Sequence, residues 1–213
     1  MKIRTLEELV DSLDHDLGWR KKELTSIVTS INHKKNIDTK LRIGMVILYA
    51  HWEGYIKNAG SNYILYIKQL ELKYEELNEN FIAIALKNTF STCLESDKTS
   101  VHTKLVNILV NDLSTIAPIP YYNLIETKSN LNWNVFKEIL DTLGLESSFY
   151  VTKDKQVNKL VDSRNDVAHG QRVYFDEEEF LNLYKEIVTI LDFFKEQIIQ
   201  SVSSETFKRN IDD

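Results

Sequence analysis

The sequence predicts an all-α protein, a bundle of long up-down helices with one irregular insertion, and three observations carry that prediction. Six glycines and two prolines in 213 residues amount to about 4% of the chain against roughly 12% in average proteins, too few for the turns of a sandwich or barrel. Apolar residues recur at spacings of 3, 4 and 7 over long stretches, the period of one helix face. Capping signals stand where those stretches begin and end. With 43% apolar and 27% charged residues and a mean hydropathy of -0.29, the composition is that of a globular protein and excludes a collagen, a disordered tail and a disulfide scaffold.

The elements follow in order. Thr5 with Glu8 three residues later is a capping box, and Leu6, Leu9, Val10, Leu13 and Leu17 then open the first helix. Leu24, Ile27, Val28 and Ile31 extend the pattern to about residue 34, as one long helix or as two in line broken near Gly18. A second helix starts near Asp38 and runs to about residue 70. It is apolar on nearly all sides around Met45, Leu48, Tyr49 and Trp52, as a helix in the middle of a bundle is. A third, more acidic helix is expected over 72–88.

Residues 89–130 read as an insertion. A short helix over 101–113 is plausible there, but Pro118 and Pro120 end any helix because proline lacks the donor and restricts the residue before it. Two β-rich runs, 121–127 and 149–152, are candidates to pair as a minor two-stranded element. Residues 134–143 are amphipathic and end at Gly144; a further helix spans 154–168 before Gly170. The last helix starts near Asp176 with three acids in its first turn, where the helix dipole favours them, and runs to about 203. The tail after it is expected to fray. The expected core is thus 5–88 plus 131–203 within a single domain, 1–213.

The lone cysteine, Cys93, leaves no internal disulfide, and the acidic N-terminus lacks the apolar run of a signal peptide, so the cytoplasm is the expected compartment. The most apolar stretch, 43–52, is too short for a bilayer, and no membrane segment is expected. The net charge is -6, yet it is segregated. Residues 19–42 carry Arg20, Lys21, Lys22, Lys34, Lys35, Lys40 and Arg42 against Glu23 and Asp38, a local +5 that is either a solvated helix face or a surface for a polyanion.

The chemistry lies in the helix ending at Gly170. Val157, Leu160, Val161, Arg164 and Ala168 share one stripe, so a guanidinium sits on the apolar face and needs a partner, a ligand or an interface. Beside it Asn158, Asp162, Asn165 and His169 form a polar stripe. Arg164 and His169 stand about 140° apart on an ideal wheel. Two such helices facing across a two-fold axis would supply two arginines and two histidines to one cleft.

Arg164-Asn165-Asp166-Val167-Ala168-His169 has the R-N-x3-H form of the R-x4-6-H motif of the HEPN superfamily, the higher eukaryotes and prokaryotes nucleotide-binding domains. Upstream, Glu53-Gly54-Tyr55-Ile56-Lys57-Asn58 resembles the E-x3-K-N element of HEPN ribonucleases, and the text around 47–54 and 129–145 resembles a prokaryotic HEPN-like nuclease family. The resemblance covers most of the chain and is weakest over 89–120. It implies an all-α bundle that dimerises, and a metal-independent endoribonuclease whose site is shared between protomers. Arg164, Asn165 and His169 would be catalytic, with Glu53, Lys57, Asn58 and Asp166 in support; the basic region, with Arg20, Lys21, Lys22, Lys34 and Lys35, would by its charge guide the RNA backbone. A role as a toxin or phage-defence effector held by an inhibitory, antitoxin-like partner follows from the same resemblance.

Cleavage of RNA without a metal uses the 2′-OH as nucleophile, so a protein must take that proton, protonate the leaving 5′-oxygen and stabilise the phosphorane. Histidine suits the first two tasks and the arginine fork suits the third. The plainer alternatives are a structural Arg164 pairing with Asp162, Asp166 or Glu53, a His169 touching the last carbonyls, and a Glu53–Lys57 salt bridge. Tyr49, Trp52, Trp133 and Phe136 read as core. The histidines show no ligand spacing and no phosphate-cradling glycine loop is present, so neither a metal nor a cofactor is expected. A non-catalytic HEPN module, binding nucleotide or serving as a dimerisation scaffold, is the second reading.

Overall fold

The computed structural model describes residues 3–32, 34–120, 122 and 124–209. Among the described residues eight α-helices follow one another: α1 Leu6–Asn32, α2 Ile37–Gln69, α3 Glu79–Leu94, α4 Thr99–Asn111, α5 Trp133–Leu143, α6 Ser148–Val151, α7 Asp154–Ala168 and α8 Glu177–Ser203, with a 3-10 turn at Tyr74–Glu76. The capping box forms as the sequence predicts: Glu8 N–H donates to Thr5 Oγ1 at 3.1 Å and Thr5 N–H to Glu8 Oε2 at 3.3 Å. α1 then runs through Gly18 without a break.

α2 is the axis of the bundle, with α1, α7, α8 and α5 packed on it. Leu41, Met45, Leu48, Trp52, Tyr55, Ile56, Tyr63 and Ile67 are all buried on it and share one broad face. Each such side chain contributes on the order of 1.5–3 kcal/mol by leaving water. Gly44 lets α8 approach: a Cβ there would stand 2.8 Å from the Phe180 ring.

α3 and α4 form a hairpin that reaches the rest through α5, the 3-10 turn and the Phe81 ring set edge-on to Tyr63 of α2, and α4 buries no residue completely. The third helix thus starts later than the acidic pattern suggests, because the chain spends 74–76 in the 3-10 turn before Asn78 opens α3. α5 begins at Asn132, whose side chain accepts from Val135 N–H, and ends at Gly144 in the left-handed region (φ 65°). Asp176 likewise caps α8 by accepting from Glu179 N–H at 3.0 Å.

Two expectations fail. The run 149–152 is not a strand, because Phe149, Tyr150 and Val151 lie in the short helix α6, where Tyr150 is buried against Phe136. Its proposed pairing partner, 121–127, has no strand among its described residues, and Tyr121 and Asn123 lie outside them. The tail does not fray at its start: Phe207 is 2% exposed, Asn78 N–H donates to Phe207 O at 3.1 Å, and Arg209 N–H to Glu76 O at 3.0 Å. Residues 210–213 lie outside the described residues. No helix among those described is long and apolar enough to cross a membrane.

Candidate active site at the end of α7

α7 buries Val157, Leu160, Val161 and Ser163, which turns Arg164 toward α2. The guanidinium carbon stands 4.0 Å from the centre of the Tyr49 ring, within cation–π range. Nη1 donates to Asn165 Oδ1 at 2.8 Å and Nη2 to the Ser129 carbonyl at 2.8 Å. A guanidinium has five N–H donors, so three remain uncommitted among the described residues. The partner of the arginine on the apolar stripe is therefore an aromatic face and a carbonyl, and no ion pair joins Arg164 to Asp162, Asp166 or Glu53 among the described residues.

Tyr49 is fixed by its other contacts. Its hydroxyl accepts from Leu131 N–H at 2.9 Å, and Trp52 Nε1 donates to Leu131 O at 2.9 Å. Burial pushes the phenol above its usual range and the charge of Glu53 adds to that, while the Leu131 bond and Arg164 oppose it. Glu53, one turn after Tyr49, is half-buried, and its Oε1 is buried without a hydrogen-bond partner.

The polar stripe of α7 has two uses. Asn158 Oδ1 accepts from Trp133 N–H at 3.0 Å, and Asn165 Nδ2 donates to Asn130 Oδ1 at 3.3 Å. Both hold the segment entering α5. In that segment Lys128 and Ser129 adopt φ 53° and 51°, a left-handed pair that costs about 1–2 kcal/mol per residue outside glycine. Beside it a groove of about 430 Å³ is lined by Lys87, Glu126, Lys128, Asn134 and Glu138. Asp162 and His169 on the same stripe, and Asp166 beside it, remain exposed.

α7 ends in a Schellman turn. Gly170 takes φ 76°, its N–H donates to Val167 O at 3.1 Å, and Gln171 N–H donates to Asp166 O at 2.9 Å. Arg42 Nη1, from α2, donates to Gln171 O at 2.8 Å and ties down the turn. His169 sits at the start of that turn, exposed, and its imidazole takes no hydrogen bond among the described residues. No hydrogen bond joins it to Arg164 among the described residues.

The E-x3-K-N residues part company. Glu53 faces Tyr49, Lys57 is exposed and forms no ion pair with Glu53, and Asn58 Nδ2 donates to Asp16 Oδ2 on α1 at 2.9 Å. The basic region divides too. Arg20 is 9% exposed and committed to Asp16 Oδ1 at 3.1 Å, so it cannot meet RNA. Lys21 is paired with Asp192 at 2.5 Å. Lys22, Lys34 and Lys35 are exposed, the last two at the α1–α2 turn. That turn lies at the end of α2 from which Arg42 reaches the Gln171 carbonyl.

One buried polar cluster carries no motif in the sequence. Arg20 Nη1 approaches His51 Nδ1 at 3.4 Å, and His51 Nε2 lies 2.8 Å from Glu23 Oε2. An arginine can only donate, so Nδ1 accepts and Nε2 carries the proton toward Glu23. Burial, and next to it Arg20, hold the imidazole below its ordinary value, against Glu23 and Asp16. The available signals were Asp16 and Arg20 one turn apart, and Gly54, where a Cβ would come 2.7 Å from Arg20 Nη1.

No three His, Cys, Asp or Glu among the described residues are grouped to hold a metal. No curated protein and no solved structure matches the chain. The family model described as RiboL-PSP-HEPN matches residues 15–200, nearly the whole helical bundle and both ends of the α7 site. HEPN domains are all-helical nucleases or nucleotide-binding modules, and this chain belongs to the RiboL-PSP-HEPN family.

Proposed function

We propose that the protein is a metal-independent endoribonuclease whose site is completed in a homodimer cleft. The observation that carries this reading is the R-N-x3-H segment at the end of α7. There Arg164 is seated on Tyr49 with three N–H groups to spare, and His169 is exposed without a hydrogen bond. The fork suits the equatorial oxygens of a phosphorane, and the imidazole suits proton transfer near neutral pH.

Within one chain no hydrogen bond joins the two groups, Arg164 being seated on Tyr49 of α2 and His169 exposed at the end of α7. A second copy across a two-fold axis would bring another imidazole and another fork to the same ribose-phosphate linkage. One histidine then serves as base toward the 2′-OH and the other as acid toward the 5′-oxygen, each worth on the order of 10² to 10⁴ in rate. Asn165 orients Arg164 through their mutual bond, Glu53 acts on Arg164 across Tyr49, and Lys57 and Asp166 flank the cleft. Lys22, Lys34 and Lys35 guide the RNA backbone. The whole chain acts as a single domain, and family resemblance supports an effector role in defence, restrained by a partner.

The test is incubation of the protein and its His169→Ala variant with total RNA in EDTA. Cleavage by the first and not the second supports the reading; equal cleavage, or none by either, rejects it. A non-catalytic HEPN module remains the second reading, favoured by one observation: two donors of Arg164 and the amide of Asn165 are already used within the chain. Nucleotide binding without RNA cleavage would select it.

A further inference from the structure

We infer that Tyr49 is the positioning residue for Arg164, aiming its three uncommitted N–H groups out of the bundle at a substrate phosphate; this rests on the ribonuclease reading above. A long side chain on a helix face has many rotamers, and a fork that must meet an oxyanion loses rate whenever it samples the wrong ones. Three contacts restrict Arg164: the Tyr49 ring at 4.0 Å, Asn165 Oδ1 at 2.8 Å and the Ser129 carbonyl at 2.8 Å. The two oxygens lie on a neighbouring side chain and on a surface turn. The ring alone comes from the core: Tyr49 is 2% exposed, and its hydroxyl is held by Leu131 N–H.

Stacking also leaves the guanidinium edge open. An acidic partner would have occupied that edge with carboxylate oxygens, and would have competed with phosphate for the same donors. The ring holds the cation by its π face and consumes no N–H. Glu53, one turn along α2, lies near enough to act on the Tyr49 phenol, and no ion pair joins it to Arg164 among the described residues. Tyr49 thus acts through Arg164 and touches no reacting atom.

The test compares wild type, Tyr49→Phe and Tyr49→Leu in cleavage of a short single-stranded RNA in EDTA. In the same proteins the Arg164 Nε–H resonance is followed by NMR on arginine-labelled samples, and circular dichroism checks the fold. In wild type the resonance carries the ring-current shift of a stacked guanidinium. Tyr49→Leu should lose that shift and about 10²-fold in kcat, the cost of a misplaced catalytic group, with KM little changed because the phosphorane contact belongs to the transition state. Tyr49→Phe, which keeps the ring, should restore the shift and most of kcat.

An unshifted resonance in wild type, a Leu variant as fast as wild type, or a Phe variant as slow as Leu overturns the inference. If Tyr49→Leu does not fold, Tyr49→Met takes its place with the same expectations. Should wild type cleave no RNA, the ribonuclease reading falls by itself. The inference is then decided by the resonance: shifted in wild type and Phe but not in Leu sustains it, and any other pattern ends it.

Discussion

Arg164 and His169 are five residues apart and are held by different forces, so their variants should separate activity from stability. His169 is exposed and takes no hydrogen bond among the described residues, and His169→Ala should abolish RNA cleavage while leaving the thermal melting temperature within experimental scatter. Arg164→Ala removes a cation–π contact and two hydrogen bonds at a half-buried site, and should cost about 1–2 kcal/mol in denaturant unfolding as well as cleavage. His51 gives the pH dependence. Its pKa is lowered in the folded chain from the ordinary 6.5, so below that value the unfolded chain binds the extra proton and the folded one resists it. Stability from this residue is complete above pH 6.5 and declines as pH falls from there toward the lowered value. Melting curves between about pH 7 and 5 should show wild type losing stability more steeply than His51→Gln. The arginine on the apolar stripe was legible from spacing alone; that its partner is Tyr49 was not, because the two are 115 positions apart and only the antiparallel packing of α7 on α2 brings them together.

The elements were legible where local chemistry fixes them. The Thr5–Glu8 box, the Asp176 cap and the glycines at 144 and 170 are short-range hydrogen-bond and φ requirements, and each stands where its spacing places it. Element type failed at 149–152, where aromatic and β-branched residues suggested a strand. Burial of Tyr150 against Phe136 and Phe193 rewards a helical turn there instead. The Schellman turn after α7 gives a prediction at this scale. A Cβ on Gly170 would meet nothing within 4 Å, so Gly170→Ala acts only through its φ of 76°, which costs an L-residue about 1–2 kcal/mol. The turn that carries His169 should loosen, and cleavage should fall more than overall helicity when rates and circular dichroism are compared with wild type.

At the scale of the molecule, the chain after α8 closes the bundle. Phe207 is 2% exposed and its carbonyl accepts from Asn78 N–H, while Arg209 N–H two residues on donates to the Glu76 carbonyl. Phe207→Ala should therefore cost about 3 kcal/mol or more in unfolding free energy, as large aromatic deletions in cores do, whereas a frayed tail would make it silent. The proposed chemistry draws its groups from two protomers and so requires a dimer. Light scattering at micromolar concentration should report a dimer, and RNA binding should weaken with salt, less steeply when Lys34 and Lys35 are replaced by Ala. A strict monomer that still cleaves RNA would contradict the shared site.

By itself the sequence determined the helical class, most of the helix ends and the identity of the R-N-x3-H segment, because periodicity, capping and φ preference act within one or two turns of chain. Tertiary structure decided which cation is free: Arg20 is buried on Asp16, Lys21 is paired with Asp192, and Arg164 keeps three donors open over Tyr49. A charge's availability depends on what the rest of the fold packs against it, and that packing joins residues whose separation along the chain no local pattern records.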